Sequence, residues 1–264
     1  MERLLLLRLR ATGCAAEVRL NDVPVARTPP TGGSVNVPVH EYLLSGTNHL
    51  ALLLDPPAPA SSVAPRLVPA GGLAAQARLL LPRIGHLGSE LNARTLAELS
   101  VAVPEGEIYQ PPLAAQRSTE LPISFPRWRW LDLPPVADPA AAQPLVAGFV
   151  QGLAIALAKG DPEPFIQGAR LRFEELAVAY QKPVTELAAR WRARIQMLHA
   201  TKALRMVLPA LPDVQLRPCA GGRLLECVDA TGQPILRTEA ASDGSRHAWP
   251  LRVGVVEGHC HVMR

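Results

Sequence analysis

The chain has 264 residues, 48% of them hydrophobic and 19% charged, with a formal net charge of +4. That length buries one large core or two modest ones, and two domains is the expectation. Nearly all the cations are arginine, with lysine only at 159, 182 and 202, and they are spread along the chain instead of forming the dense stripe of a nucleic-acid binder.

The arginine bias, with abundant Ala, Pro and Leu, is the mark of a GC-rich bacterial genome. Cys14, Cys219, Cys227 and Cys260 form no C-x-x-C pair, which argues against a zinc ribbon and against a disulfide-dense secreted fold. The opening MERLLLLRLR resembles a leader only briefly. Its apolar run, residues 4–7, ends at Arg8, so it reads as a first strand. No stretch is read as approaching the roughly 20 apolar residues of a membrane span. The expectation is a cytoplasmic protein without a membrane partner.

The first half then reads as short strands. In AAEVRLNDVPVART, Val18 and Leu20 precede the turn-forming pair Asn21-Asp22, and Val23 and Val25 follow it, which predicts a hairpin. VNVPVHEYLLSGTNHLALLL supplies another strand, a Ser45-Gly46 turn and a strongly apolar strand over 49–54. A Pro-, Ala- and Ser-rich loop covers 55–69, and strands resume near 77–84, 96–103 and 120–133. In the last of these, FPRWRWLDLP, alternation predicts that Trp128 and Trp130 face the core of the strand-rich domain while Arg127 and Arg129 face water. The hairpin and the segment after it resemble the galactose-binding-like jelly roll, over about 50 residues. That resemblance implies a β-sandwich, makes a carbohydrate-like ligand the expectation for this half, and carries over no ligand residue.

The stretch 134–143 is rich in Pro and Ala and reads as a linker, dividing a sandwich domain over 1–133 from a second domain over 144–264. Leu145, Phe149, Leu153 and Leu157 recur every four residues, and their helix ends at Gly160. Asp161-Pro162 starts a second helix carrying Phe165, Ala169, Phe173, Leu176 and Tyr180. A third opens after Pro183 with Leu187, Trp191, Ile195 and Leu198. Past Pro212 the chain reads as strand in four pieces. FVQGLAIALAKGDPEPF and the ending PLRVGVVEGHCHVMR resemble the SnoaL-like, or nuclear transport factor two-like, α+β roll. That resemblance implies a pocket between helices and sheet in the enzymes of the family, and binding or dimerisation in its other members. The fold class expected is therefore α+β with two domains, an N-terminal antiparallel β-sandwich followed by a C-terminal helix-plus-antiparallel-sheet roll.

The ending VVEGHCHVMR carries most of the site reasoning. If Glu257-Gly258 is a two-residue turn, Val253, Val255, Cys260 and Val262 share one face and Arg252, Val256, His259 and His261 the other. The apolar set must be the core face, which turns both imidazoles away from the helices. With 230–233 as a loop, Glu226 falls opposite Arg237 as a cross-strand charge pair on the same outward face. Glu226, Arg237, Arg252, His259 and His261 are the candidate ligand or partner surface, through which the chain docks a protein or a second copy of itself.

The inward face offers no carboxylate or imidazole, so no catalytic residue is assigned on the sheet. An enzyme would need its acid or base from Glu174, Glu175, Tyr180 or His199 on the helices. Glu174 and Glu175 read as solvated helix charges, which leaves Tyr180 and His199 as pocket-rim candidates. Two histidines at i and i+2 fall short of the three or four ligands zinc takes, even with His247 or Glu226 nearby, so no metal and no cofactor is expected. Gly71-Gly72 and Gly221-Gly222 read as turns, and Ser61, Ser62 and Ser89 lack a G-x-S-x-G setting. The functional expectation is a non-catalytic bacterial binding protein of an accessory type, serving immunity or secretion. The alternative is a SnoaL-like isomerase or hydratase acting on a small apolar substrate.

Overall fold

A computed structural model describes residues 4–57, 64–83, 93–121 and 123–264. Ser61, Ser62, Ser89 and the Ile84 end of one expected strand lie outside the described residues. The fold is α+β, with antiparallel strands in the N-terminal half and helices followed by an antiparallel sheet in the C-terminal half. The chain divides into two compact units, with the division falling after Arg127.

The first unit contains strands β1 (Leu6–Thr12), β2 (Ala16–Leu20), β3 (Val23–Thr28), β4 (Gly32–Pro38), β5 (Gly46–Leu54), β6 (Arg66–Leu67), β7 (Leu73–Pro82), β8 (Ala93–Val103), β9 (Ile108–Tyr109) and β10 (Leu113–Leu121). One sheet has the order β4-β1-β7-β8, a second has the order β10-β5-β2-β3, and β6 pairs with β9. Alternation sets the buried sides. Leu7, Leu9 and Ala11 lie opposite Leu79, Ala77 and Ala75, while Ala16, Val18 and Leu20 lie opposite Leu54, Leu52 and Leu50, all of them buried. Each fully buried leucine contributes about 2 kcal/mol. Asn21 and Asp22 take φ of 51° and 64°, the left-handed pair that a two-residue type I′ turn needs. The buried Asn48 locks this corner. Its side chain accepts from Asn21 Nδ2 at 2.9 Å and Leu44 N at 2.8 Å, and donates to the Leu44 carbonyl at 2.8 Å.

The strand expected over 120–133 is corrected. β10 ends at Leu121, and residues 129–132 form one turn of 3-10 helix. Pro126 cannot donate to a ladder, so alternation across it was no strand. Trp128 and Trp130 are buried, but within the second unit, where their rings lie 5.9 and 5.8 Å from the guanidinium of Arg264.

The second unit has helices α1 (Pro139–Ala158), α2 (Glu163–Gly168), α3 (Arg170–Tyr180) and α4 (Val184–Ala200), then β11 (Gln215–Cys219), β12 (Leu224–Val228), β13 (Leu251–Val256) and β14 (His259–Val262) in one meander. Asp138 caps α1 by accepting from Ala140 N at 2.9 Å, so part of the stretch expected as linker over 134–143 is helix. Counting those residues, α1 runs 20 residues without a charge and is long and apolar enough to cross a membrane, with 33% of that window buried. The expectation that no stretch approaches that length is corrected accordingly. α1 buries Val146, Val150, Leu153 and Leu157, which corrects the expected face. A strict spacing of four drifts by about 40° per step around the helix, whereas steps of four and three stay on one side. Leu145 is left 43% exposed. The expected second helix is broken at Ala169, where φ and ψ are −100° and 12°, giving α2 and α3. Gly160 closes α1 at φ 77°, and a Cβ there would stand 2.6 Å from the ring of His199.

The closing hairpin has the expected register. Val253, Gly254, Val255 and Val256 face Val262, His261, Cys260 and His259, around a type I′ turn with φ of 49° at Glu257 and 76° at Gly258. Leu225, Cys227, Leu251, Val253 and Val262 join the helices in one apolar core, with Val255 and Cys260 packed against it. The other side of the sheet is covered where the sequence predicted solvent. Leu133 sits against Gly254, where an added Cβ would come within 2.4 Å of its Cδ1, and Val136 N donates to the Gly222 carbonyl at 2.9 Å.

A fragment beginning at Arg127 is expected to unfold cooperatively on its own. One beginning at Asp138, which lacks Trp128, Trp130 and Leu133, is expected to melt at least about 10 °C lower, given the 3–5 kcal/mol typical of losing one large core aromatic. Circular dichroism melts of the two fragments check this.

Candidate functional site

The five residues expected to form one outward surface are not gathered on one. Glu226 and Arg252 are 2% and 5% exposed and pair with each other at 3.2 Å, with Arg217 standing 3.7 Å from the same carboxylate. Burial of this kind costs several kcal/mol per charge and is held only by pairing. The expected Glu226–Arg237 pair is corrected. β12 is flanked by β11 and β13, so Arg217 and Arg252 stand opposite Glu226 in the ladders. Residues 229–250 form a loop that meets β12 at the bridge of Pro234 to Val228, and bridges Arg237 to Ala248 within itself and Thr238 to Met206. Asp229 organises that loop by accepting from Thr231 N and Gln233 N at 2.8 and 3.0 Å and from Arg237 Nη2 at 2.7 Å. These donors hold the Asp229 carboxyl below its ordinary pKa against the opposing effect of burial.

His259 is exposed and His261 half-buried, both on β14 at the edge of the sheet. Beside them α1, the end of α2 and the turn and second strand of the closing hairpin flank a groove of about 640 Å³, lined by Leu145, Gly148, Phe149, Gln167, His259 and His261 among others. The helix side is uncharged throughout. Along it Leu145, Gly148, Gly152 and Ile155 follow each other at steps of three and four, with Leu145 and Ile155 43% and 40% exposed. The two glycines have no local reason to be there. A Cβ on either would meet nothing within 4 Å, yet each costs about 1 kcal/mol relative to alanine in a helix interior.

The groove's β14 side carries two imidazoles, His259 and His261. Burial, the neighbouring His259 and Arg170 at the start of α3 together hold the His261 imidazole below its ordinary pKa. Burial pushes the Cys260 thiol up to about 11 and raises that of Cys227 further, so neither is a ready nucleophile at neutral pH. The charged residues expected as solvated are not all so. Glu175 is buried, accepts from Arg129 N and pairs with Arg264, while Glu174 pairs with Arg129 and with Arg170 at 2.9 Å. Tyr180 ends α3 half-buried, and His199 is exposed at the end of α4 with its ring over Gly160. Among the described residues no three His, Cys, Asp or Glu side chains gather as a metal-ligand set.

The sequence reached the two histidines and missed the helix half of the groove. Leu145 and Phe149 were read as core, and the glycine pair at helical spacing within an uncharged helix was the available signal. Compared with known proteins, the chain matches no family model, and no curated protein or solved structure matches it significantly. The resemblances to the jelly roll and to the SnoaL-like roll therefore rest on sequence pattern alone.

Two outcomes follow. Glu226→Ala strands the Arg252 charge and is expected to cost about 3–5 kcal/mol, whereas the paired replacement Glu226→Leu with Arg252→Met is expected near neutral; urea melts separate the two. His261 has a folded pKa below its unfolded value, so the stability it supports is present above about pH 6.5 and is lost as pH falls through the folded value. Between pH 7 and pH 5 the wild type is expected to lose more stability than His261→Asn, measured as the difference in thermal midpoint.

Proposed function

We propose that the chain is a non-catalytic binding protein, of bacterial accessory type, that docks a protein partner in the groove between α1 and β14. The observation that carries this reading is the exposed, uncharged face of α1 with two contact-free glycines beside that groove. Glycines spaced by four let another backbone approach a helix closely, and exposed Leu145 and Ile155 supply apolar surface on either side of them. His259 and His261 add imidazole nitrogens along its border, which favours a partner whose contacting segment is apolar with hydrogen-bonding groups along one flank. The packed thiols and aliphatic side chains on the helix-facing side of the sheet weigh the same way against a reaction there. We also propose that the first unit is a jelly-roll-like sandwich and the second an α+β roll, each folding as a domain.

The test compares the full chain with Gly148→Glu and with His259→Glu plus His261→Glu. Gly148 has open space around its Cβ position, so the charge is tolerated by the fold and placed in the contact. A partner retained stoichiometrically by the wild type is expected to be lost from both variants, with Kd weakened at least tenfold, about 1.4 kcal/mol or more. Identical retention by all three proteins, together with one unchanged mass in light scattering, would sink the reading.

A further inference from the structure

The short strand β14 holds two imidazoles in a spacing that coordination chemistry uses. His259 and His261 are two residues apart on it, so both project from one face, while Cys260 between them turns to the core beside Val255. Their Cα atoms stand about 6.7 Å apart, twice the rise per residue of a strand. Each imidazole has two rotatable bonds, so a nitrogen from each ring can come to about 2 Å from a single ion, as in zinc–imidazole bonds. β14 is the last strand in the order β11-β12-β13-β14, His259 is exposed, and both rings line the groove. An ion therefore reaches them from solvent.

We propose that His259 and His261 together bind one Cu2+ ion at the border of the groove. Cu2+ favours a tetragonal plane of nitrogen and oxygen donors, and two imidazoles fill adjacent corners of that plane while water fills the others. Gln167, at the end of α2, carries the one other side-chain oxygen in the groove lining and is the protein group available to replace a water. The expectation of no metal rested on the three or four protein ligands that zinc takes, a requirement that Cu2+ does not share. The site is independent of the partner reading, since the ion binds the chain alone.

The donor set also selects among ions. Mg2+ and Ca2+ take oxygen ligands, and the groove lining holds no carboxylate. Among divalent ions that accept imidazole, affinity rises from Ni2+ to Cu2+ and falls again at Zn2+, and a tetrahedral Zn2+ is left two protein ligands short. Thiolate ligation, which would favour Zn2+ or Cu+, is not offered, because Cys260 packs against the core on the opposite face. Arg170 at the start of α3 acts on His261 and would repel a bound ion, but its guanidinium is paired with Glu174 at 2.9 Å, which offsets part of that repulsion.

The full chain, free of any affinity tag, is titrated with CuCl2, NiCl2, ZnCl2 and MgCl2 by isothermal titration calorimetry, and its Cu2+ complex is read by electron paramagnetic resonance. One tightly held Cu2+ ion per chain is expected, with a tetragonal spectrum coupled to two imidazole nitrogens. Ni2+ and Zn2+ are expected to bind at least about tenfold more weakly, and Mg2+ not at all. The second ring meets an ion already held by the first, so His259→Asn and His261→Asn are each expected to weaken Cu2+ binding at least about tenfold and to leave one imidazole in the spectrum. His259 is exposed, so its variant keeps the fold and decides alone if His261→Asn unfolds. The proposal is overturned if His259→Asn binds Cu2+ as tightly as the wild type, if the spectrum shows fewer than two imidazole nitrogens, or if Zn2+ binds as tightly as Cu2+.

Discussion

A single buried cation organises the second unit. The side chain of Arg264 is fully buried, and a guanidinium in that position is tolerated only because its charge is answered from several sides. Glu175 on α3 accepts from Nη1, the Met263 carbonyl accepts from the same nitrogen at 2.7 Å, and the indoles of Trp128 and Trp130 flank the group. Glu175 also accepts from Arg129 N, so one carboxylate fastens both the chain at 128–130 and the residue beyond β14. Helix, sheet and entering chain are thereby held by one cluster.

The position of the candidate site follows from that cluster. With Trp128 and Trp130 held against Arg264, the chain that follows is led across the sheet, and Leu133 fills the space over Gly254. The middle of the sheet's second side is thereby closed, and Glu226 and Arg252 pair there out of solvent. Among the residues the sequence singled out on this sheet, His259 and His261 keep their access at the edge, where α1 runs beside them. The surface available for docking is therefore an edge groove with a helix for one wall, and its chemistry is set by α1 as much as by β14.

Two concavities, one in each unit, differ in their chemistry. The groove of the second unit is largely apolar with two imidazoles at its border, which suits a contact driven by removal of apolar surface from water. The concavity on the β10-β5-β2-β3 sheet of the first unit is ringed by polar side chains, Arg19, Asp22, Gln116, Arg117 and Ser118 among them. Neither uses a nucleophile or a shifted acid. The groups most displaced from their ordinary titration, the Cys227 and Cys260 thiols and the Tyr109 phenol at about 12, are moved away from reactivity at neutral pH.

What the sequence determined by itself was local. The Asn21-Asp22 and Glu257-Gly258 turns and the alternation on either side of them specify two hairpins and the register of the second, because both the turn geometry and the period of two are properties of neighbouring residues, whereas in the first a bulge shifts the pairing between Val18 and Arg19. The α+β order of elements and the helix start at Asp161 are of the same kind. Tertiary structure alone decided which strand lies beside β12, and so whether Glu226 meets Arg237 or Arg252. It also decided which unit claims Trp128 and Trp130, which side of an uncharged helix is buried, and where Ala169 breaks a continuous helical pattern. Each of these depends on competition between partners distant in the chain, where one pairing wins by burying more apolar surface or by answering a buried charge, and periodicity does not record which competitor that will be.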